Sequence, residues 1–130
     1  MDRIDIQVWL SPVKFGEWSS SAASELSAAI RERVLKAREV QRRRFSGRDI
    51  LNGHMEPGNI RTYCALPDGG SDMLETAMKS MGLSARSLDK ILKIARTIAD
   101  LDGSEKIEKK HIAEAVQYRG LDRSMVSAFC

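Results

Sequence analysis

The chain has 130 residues, 42% apolar and 30% charged, which suffices for one domain with its own core and excludes wholesale disorder. No apolar run approaches membrane-spanning length and no signal peptide is visible, so the expected setting is the cytoplasm, without a membrane partner. The net charge is only +3, yet Arg31 to Arg48 holds eight basic residues against two acids, so this segment carries +6 and the remainder −3.

Aromatics are few, and Ala, Leu, Glu, Lys and Arg dominate the long segments, which favours helices. In "RIDIQVWLSPV", Ile4, Ile6 and Val8 alternate with Asp5 and Gln7, the period of a strand that Pro12 ends. A lone strand cannot satisfy its edges. It either pairs with something outside this sequence or lies as an extended arm on the helices, a hint that the chain begins partway through a larger protein. Phe15 to Ser24 reads as a connector. The first long helix is expected from Ser21 to Phe45, with Leu26, Ile30, Val34, Ala37, Gln41 and Phe45 on one stripe. Arg31, Arg38 and Arg42 line one flank of that stripe, and Arg33 and Arg44 the other.

A long loop follows, punctuated by Asn52-Gly53 and Pro57-Gly58. Asn59 to Leu66 predicts a short helix. Ser71-Asp72 caps another that runs to Met81, with Met73, Leu74, Ala77, Met78 and Met81 inward and Gly82 as its stop. Ser84 is an N-cap for the next helix, whose apolar face is Leu88, Ile91, Leu92, Ala95, Ile98 and Ala99. Arg86, Lys90, Lys93 and Asp100 lie on its other side. Asp102-Gly103 ends it. A last helix from Lys109 to Arg119 presents Ile112, Ala115 and Val116, and the tail from Ser124 is expected to be loose. The fold class is mainly α: a small bundle of four to five helices with a short N-terminal strand-like arm.

The sequence has no GxxxxGK loop followed by Ser or Thr, and no apolar strand ending in an Asp-Glu pair. Nucleotide hydrolysis by this chain alone is therefore not expected. His54 and His111 stand 57 positions apart and read as solvated or capping histidines; no metal site is expected. Cys64 and Cys130 form no CxxC pair.

Arg86 stands out by position. It falls at the second residue of a helix, where the backbone favours anions over cations. Either it pairs with Asp89 at i+3, or it meets an anion beside the first-turn amides. Residue chemistry alone leaves both open. The basic block carries further phosphate or nucleic-acid candidates, Arg31, Arg33, Lys36, Arg38, Arg42, Arg43 and Arg44, against the plainer reading of a solvated face.

Four ordered blocks, "IRERVLKAREVQRRRF", "ILNGHMEPGNIRTYC", "GLSARSLDKILKIARTIADLDGSEKI" and "HIAEAVQYRGLDR", resemble the C-terminal region of magnesium-chelatase-related AAA+ ATPases. The "ILNGHM…IRTYC" block points to the ComM/YifB-like group of competence proteins. The resemblance runs from about Asp2 to Arg123. It implies that residues 1–18 end the AAA+ core and its connector, that 19–123 form a helical C-terminal lid of the AAA+ type, and that 124–130 are a flexible tail. It further implies that Arg86, in the "SAR" block, is the sensor-2 residue that reaches the ATP phosphate, and that Arg3, in "DRID", is the arginine finger. ATP and Mg2+ would belong to the parent ATPase and not to this chain alone. Its partners would be its own AAA+ core, neighbouring subunits of a hexameric ring and DNA. Trp9 and Trp18 depart from the family pattern, as does the tail "SMVSAFC".

Overall fold

The computed structural model describes residues 3–20 and 23–120. Asp2, the predicted helix start at Ser21, and the tail with Cys130 lie outside the described residues. Six α-helices and one 3-10 turn occur among the described residues, with no β-strand: α1 (Phe15–Ser19), α2 (Ser27–Arg44), the 3-10 turn (Asn52–His54), α3 (Pro57–Tyr63), α4 (Gly70–Met81), α5 (Ala85–Leu101) and α6 (Lys109–Gln117). They form the expected small helical bundle. The additional element is α1, a single turn in the predicted connector.

The start and stop signals explain most boundaries. The Ser84 hydroxyl accepts the Ser87 N–H at 3.2 Å and caps α5. Gly82 ends α4 at φ 62°, a left-handed conformation that glycine adopts without penalty. α4 begins at Gly70, one residue before the predicted cap. A side chain there would come within 2.9 Å of the Pro67 ring. His111 closes a capping box on α6, its Nδ1 accepting the Glu108 N–H at 2.9 Å.

α5 is the central element. It packs most extensively on α6 and also on α2, the 3-10 turn and α3, while α4 packs on α6. Ile91, Ala95, Ala99 and Ile112 are fully enclosed, surrounded by Phe45, Met55, Ile60, Cys64, Leu74, Ile94, Ile107 and Ala115. The "ILNGHM…IRTYC" block thus supplies interior residues: Asn52, Met55, Ile60 and Cys64 are buried. Tyr63 packs edge-on to Phe45, ring centroids 5.5 Å apart.

Only the C-terminal half of the predicted α2 stripe meets this body. Ala37, Gln41 and Phe45 are buried, whereas Leu26, Ile30 and Val34 remain exposed. The helix starts at Ser27, and Glu25, just before it, folds back onto Arg33.

The polar residues of the α5 C-terminal half also differ from expectation. Asp100, expected on the outer face, is completely buried. Its carboxylate accepts Arg44 Nη2 at 2.6 Å, Arg44 Nη1 at 2.8 Å, Asn52 Nδ2 at 2.8 Å and Arg96 Nε at 3.1 Å. Arg96 also donates to the carbonyls of Ser104 and Glu105 at 2.9 and 3.0 Å. The Gln41 side chain accepts the Asn52 N–H at 3.0 Å. The hub thus ties the loop after α5 to the helix through Arg96 and pairs the buried Asn52 N–H through Gln41.

The N-terminal segment is extended but pairs with no strand among the described residues. It lies as an arm against α5 and the end of α6. Its ties include Gln7 N–H to the Tyr118 carbonyl at 2.9 Å, Arg119 Nη1 to the Ile4 carbonyl at 2.6 Å, and Lys90 Nζ to Asp5 at 2.7 Å.

Candidate functional site

Arm and α5 enclose a groove of about 1000 Å³. Arg3, Asp5, Ile6 and Val8 line it from the arm, and Arg86, Lys90, Lys93, Ile94, Thr97, Ile98 and Leu101 line it from α5. Asp102, Glu114, Tyr118 and Gly53 complete the wall. The period of α5 creates this lining, because Arg86, Lys90, Lys93 and Thr97 follow steps of three and four and share one face. Its floor is aliphatic and its rim carries cations.

Most rim charges have partners. Lys90 is tied to Asp5, Lys93 donates to the Gly53 carbonyl at 3.1 Å, and Glu114 accepts the Tyr118 hydroxyl at 2.7 Å. That bond, with burial, pushes the Tyr118 hydroxyl above its usual pKa. Arg86 and Arg3 differ: both are exposed, and neither makes a hydrogen bond or ion pair with a described residue. The i+3 pairing of Arg86 with Asp89 is not formed. Arg86 sits two residues after the Ser84 cap, beside first-turn amides that no intrahelical carbonyl accepts. Two guanidiniums and a helix N-terminus on one groove form a setting for a phosphate-bearing anion.

No group of three or more His, Cys, Asp or Glu that could hold a metal ion occurs among the described residues. His54 is exposed, in agreement with its solvated reading. His111 is capping and buried, with Nε2 3.0 Å from Asp102. Asp102 also meets Lys110 at 2.7 Å, and hydrogen bonds from Lys110 first and His111 second hold its carboxyl below the usual value. Burial pushes the Cys64 thiol up to about 11, so it is inert as a nucleophile near neutral pH.

The basic block does not form one open cationic face. Arg33 pairs with Glu25, Lys36 with Glu32 at 2.9 Å, Arg38 with Asp49 at 3.7 Å and Arg43 with Glu39 at 3.1 Å. Hydrogen bonds from Arg33 and Lys36 hold the Glu25 and Glu32 carboxyls below their usual values. Arg44 belongs to the buried hub, its side chain 10% exposed. Arg31 and Arg42 remain exposed without a partner among the described residues.

Sequence reasoning missed Arg119 and the hub. Arg119, expected as the last residue of the final helix and given no role there, lies just past α6 and is 1% exposed. The i,i+4 spacing of Arg96 and Asp100 was the only local signal for the hub.

The chain matches the family described as magnesium chelatase, subunit ChlI C-terminal, over residues 24–119. It is 36% identical over 97% of its length to the uncharacterised protein YifB of Escherichia coli, and 38% identical over 95% to the competence protein ComM of Haemophilus influenzae. An uncharacterised protein of Mycobacterium tuberculosis, Rv2897c, is 28% identical over 92%. In each case the matched part is 24% of the relative, so the chain spans about a quarter of the length of these relatives.

Proposed function

This chain belongs to the magnesium chelatase, subunit ChlI C-terminal family, in its ComM/YifB-like branch, and on that premise we propose that it is the nucleotide-sensing helical lid of an AAA+ ATPase. The observation that carries this reading is Arg86, exposed in the first turn of α5, without the Asp89 partner that would account for it, on a groove shared with Arg3. The ATPase core would dock over the groove and hold ATP and Mg2+. ATP would supply a terminal phosphoryl group for transfer to water. Arg86 would meet the phosphate from the helix N-terminus. Arg3 would act as the arginine finger across a subunit boundary of a hexameric ring, stabilising the charge that develops in transfer. Because one relative is a competence protein, we extend the proposal to an ATP-driven motor that handles DNA in that process.

The test is ATP turnover by the longer protein. Arg86→Ala should lower it by at least about tenfold, and near-normal turnover would refute the role. The present chain alone should hydrolyse no ATP.

Exposed Arg31 and Arg42 favour a second reading, a basic nucleic-acid-binding surface on α2. A salt series separates the two. With two unpartnered cations, the slope of log affinity against log salt should be near −2, about −0.9 per neutralised phosphate. Tight binding with that slope or a steeper one would favour the stand-alone nucleic-acid module, and weak or absent binding leaves the lid reading.

A further inference from the structure

We propose that Arg119 is the positioning residue that sets the spacing between the arm carrying Arg3 and the helix turn carrying Arg86. The inference rests on the nucleotide reading above and adds a residue to it. Arg119 follows α6, and its guanidinium is enclosed between the arm and the start of α5. Nη1 donates to the Ile4 carbonyl at 2.6 Å, one residue from Arg3. Nη2 donates to the Ser87 hydroxyl at 3.3 Å, one residue from Arg86. Ser87 in turn lies 3.2 Å from the hydroxyl of Ser84, the cap of α5. One rigid fork therefore spans the two neighbours of the proposed phosphate-reading residues.

The bonds of Gln7 and Lys90 are placed differently. The Gln7 N–H bonds the carbonyl of Tyr118, the residue before Arg119, so that bond holds the arm at the end of α6. Lys90 does join α5 to the arm, but through Asp5, whose side chain is 60% exposed, where water and salt compete for the pair. Apolar contact adds little: Ile4, Ile6 and Val8 are 50%, 52% and 60% exposed. Arg119 is itself 1% exposed, so its bond to Ser87 is buried and its bond to the Ile4 carbonyl is partly shielded from water, where a hydrogen bond is electrostatically stronger. A lysine keeps the charge and the stem but has a single ammonium, not a planar fork that spans two acceptors.

The experiment pairs hydrogen exchange of the Gln7 amide in this chain with steady-state turnover of the ATPase that carries it. Arg119→Lys should speed exchange at Gln7 at least about tenfold, through local release of the arm. It should lower kcat about tenfold and leave the KM for ATP within about twofold, because a finger displaced from the transferring phosphoryl affects the transition state more than ground-state binding. Ser87→Ala cuts only the α5 end of the bridge. It should leave Gln7 protected and lower kcat about threefold. Wild-type exchange at Gln7 in Arg119→Lys would overturn the inference, as would faster exchange with unchanged kcat. Should Arg119→Lys not fold, Ser87→Ala decides alone, and wild-type kcat there overturns it. Failure of the underlying reading looks different: Arg86→Ala itself would then turn over ATP normally, and the inference would fall with it.

Discussion

Replacing Asp100 by Ala removes the one carboxylate on which two interior arginines converge. The Asp100 side chain is 0% exposed, that of Arg44 10% and that of Arg96 5%. Four hydrogen bonds end on it, at 2.6, 2.8, 2.8 and 3.1 Å. Without it both guanidiniums stay in the interior with no opposite charge. Breaking a buried pair from one side costs about 3–5 kcal/mol, because the partner charge is stranded. The bonds act as one unit, so their separate values do not add, and about 4 kcal/mol is the working figure. Domains of this kind are stable by roughly 5–15 kcal/mol, so about a quarter or more of the total would go. With a urea dependence of about 2 kcal/mol per molar, the unfolding midpoint should fall by about 2 M. Asp100→Asn should be almost as damaging, since its NH2 would face the donors of Arg44, Arg96 and Asn52. In a cycle with Arg44→Ala, the double variant should lose at least about 1.5 kcal/mol less than the sum of the single changes. A loss below about 1 kcal/mol in Asp100→Ala would show that the hub does not hold these elements together.

Ser84→Ala removes the acceptor of the Ser87 N–H and should cost about 1 kcal/mol, seen as a lower melting temperature; an unchanged melt would show that the first turn of α5 does not depend on its cap. Asp102 has a carboxyl pKa held down by Lys110 and then His111, so its stabilising contribution is present above the unfolded value near 3.8 and disappears as the pH falls through the lowered value. Asp102→Asn should therefore melt below wild type at pH 6, with the gap closing at lower pH; a gap that widens with acid would contradict the assignment. Cys64, pushed up to about 11 and buried, should react with a thiol reagent at pH 8 at least about a hundredfold more slowly in the folded chain than in urea, measured in a Cys130→Ser background. Equal rates would mean that the loop around α3 opens freely.

Helix type and order were legible because apolar spacing and punctuation agree along most of the chain. Ser84 and Gly82 mark their boundaries through local chemistry alone, and both stand where that chemistry puts them. Reading Leu26, Ile30 and Val34 as buried failed, since a stripe shows which face is apolar but not whether anything covers it. Asp100 and Arg44 failed differently. Charged residues read as surface, and only the meeting of segments 56 positions apart makes an interior carboxylate tolerable. The position of Arg86 in a first turn could be read from Ser84 alone. Its sharing of a groove with Arg3 could not, because that depends on an arm 83 residues away folding back through Arg119.

These contacts make α5 a helix anchored at both ends by polar side chains from elsewhere in the sequence. At its C-terminal end, Arg44 from α2 and Asn52 from the 3-10 turn bind Asp100. At its N-terminal end, Arg119 from beyond α6 binds Ser87 and takes hold of the arm. Between them, Ile91, Ala95 and Ala99 are fully enclosed, so the helix cannot slide or turn without opening the core. Arg86 projects from the end of this fixed rod, where a small rotation would move a long side chain by ångströms. Apolar packing alone would tolerate such a rotation better than directional hydrogen bonds do. The buried charges therefore fit a demand for position more than for stability, because a hydrophobic replacement of similar shape could be as stable. Replacing Arg44, Asn52, Arg96 and Asp100 together by apolar residues of matching volume should accordingly leave the melting temperature near or above wild type while, on the proposed nucleotide-sensing reading, lowering ATP turnover in the longer protein. Full turnover in that variant would show that packing alone orients α5.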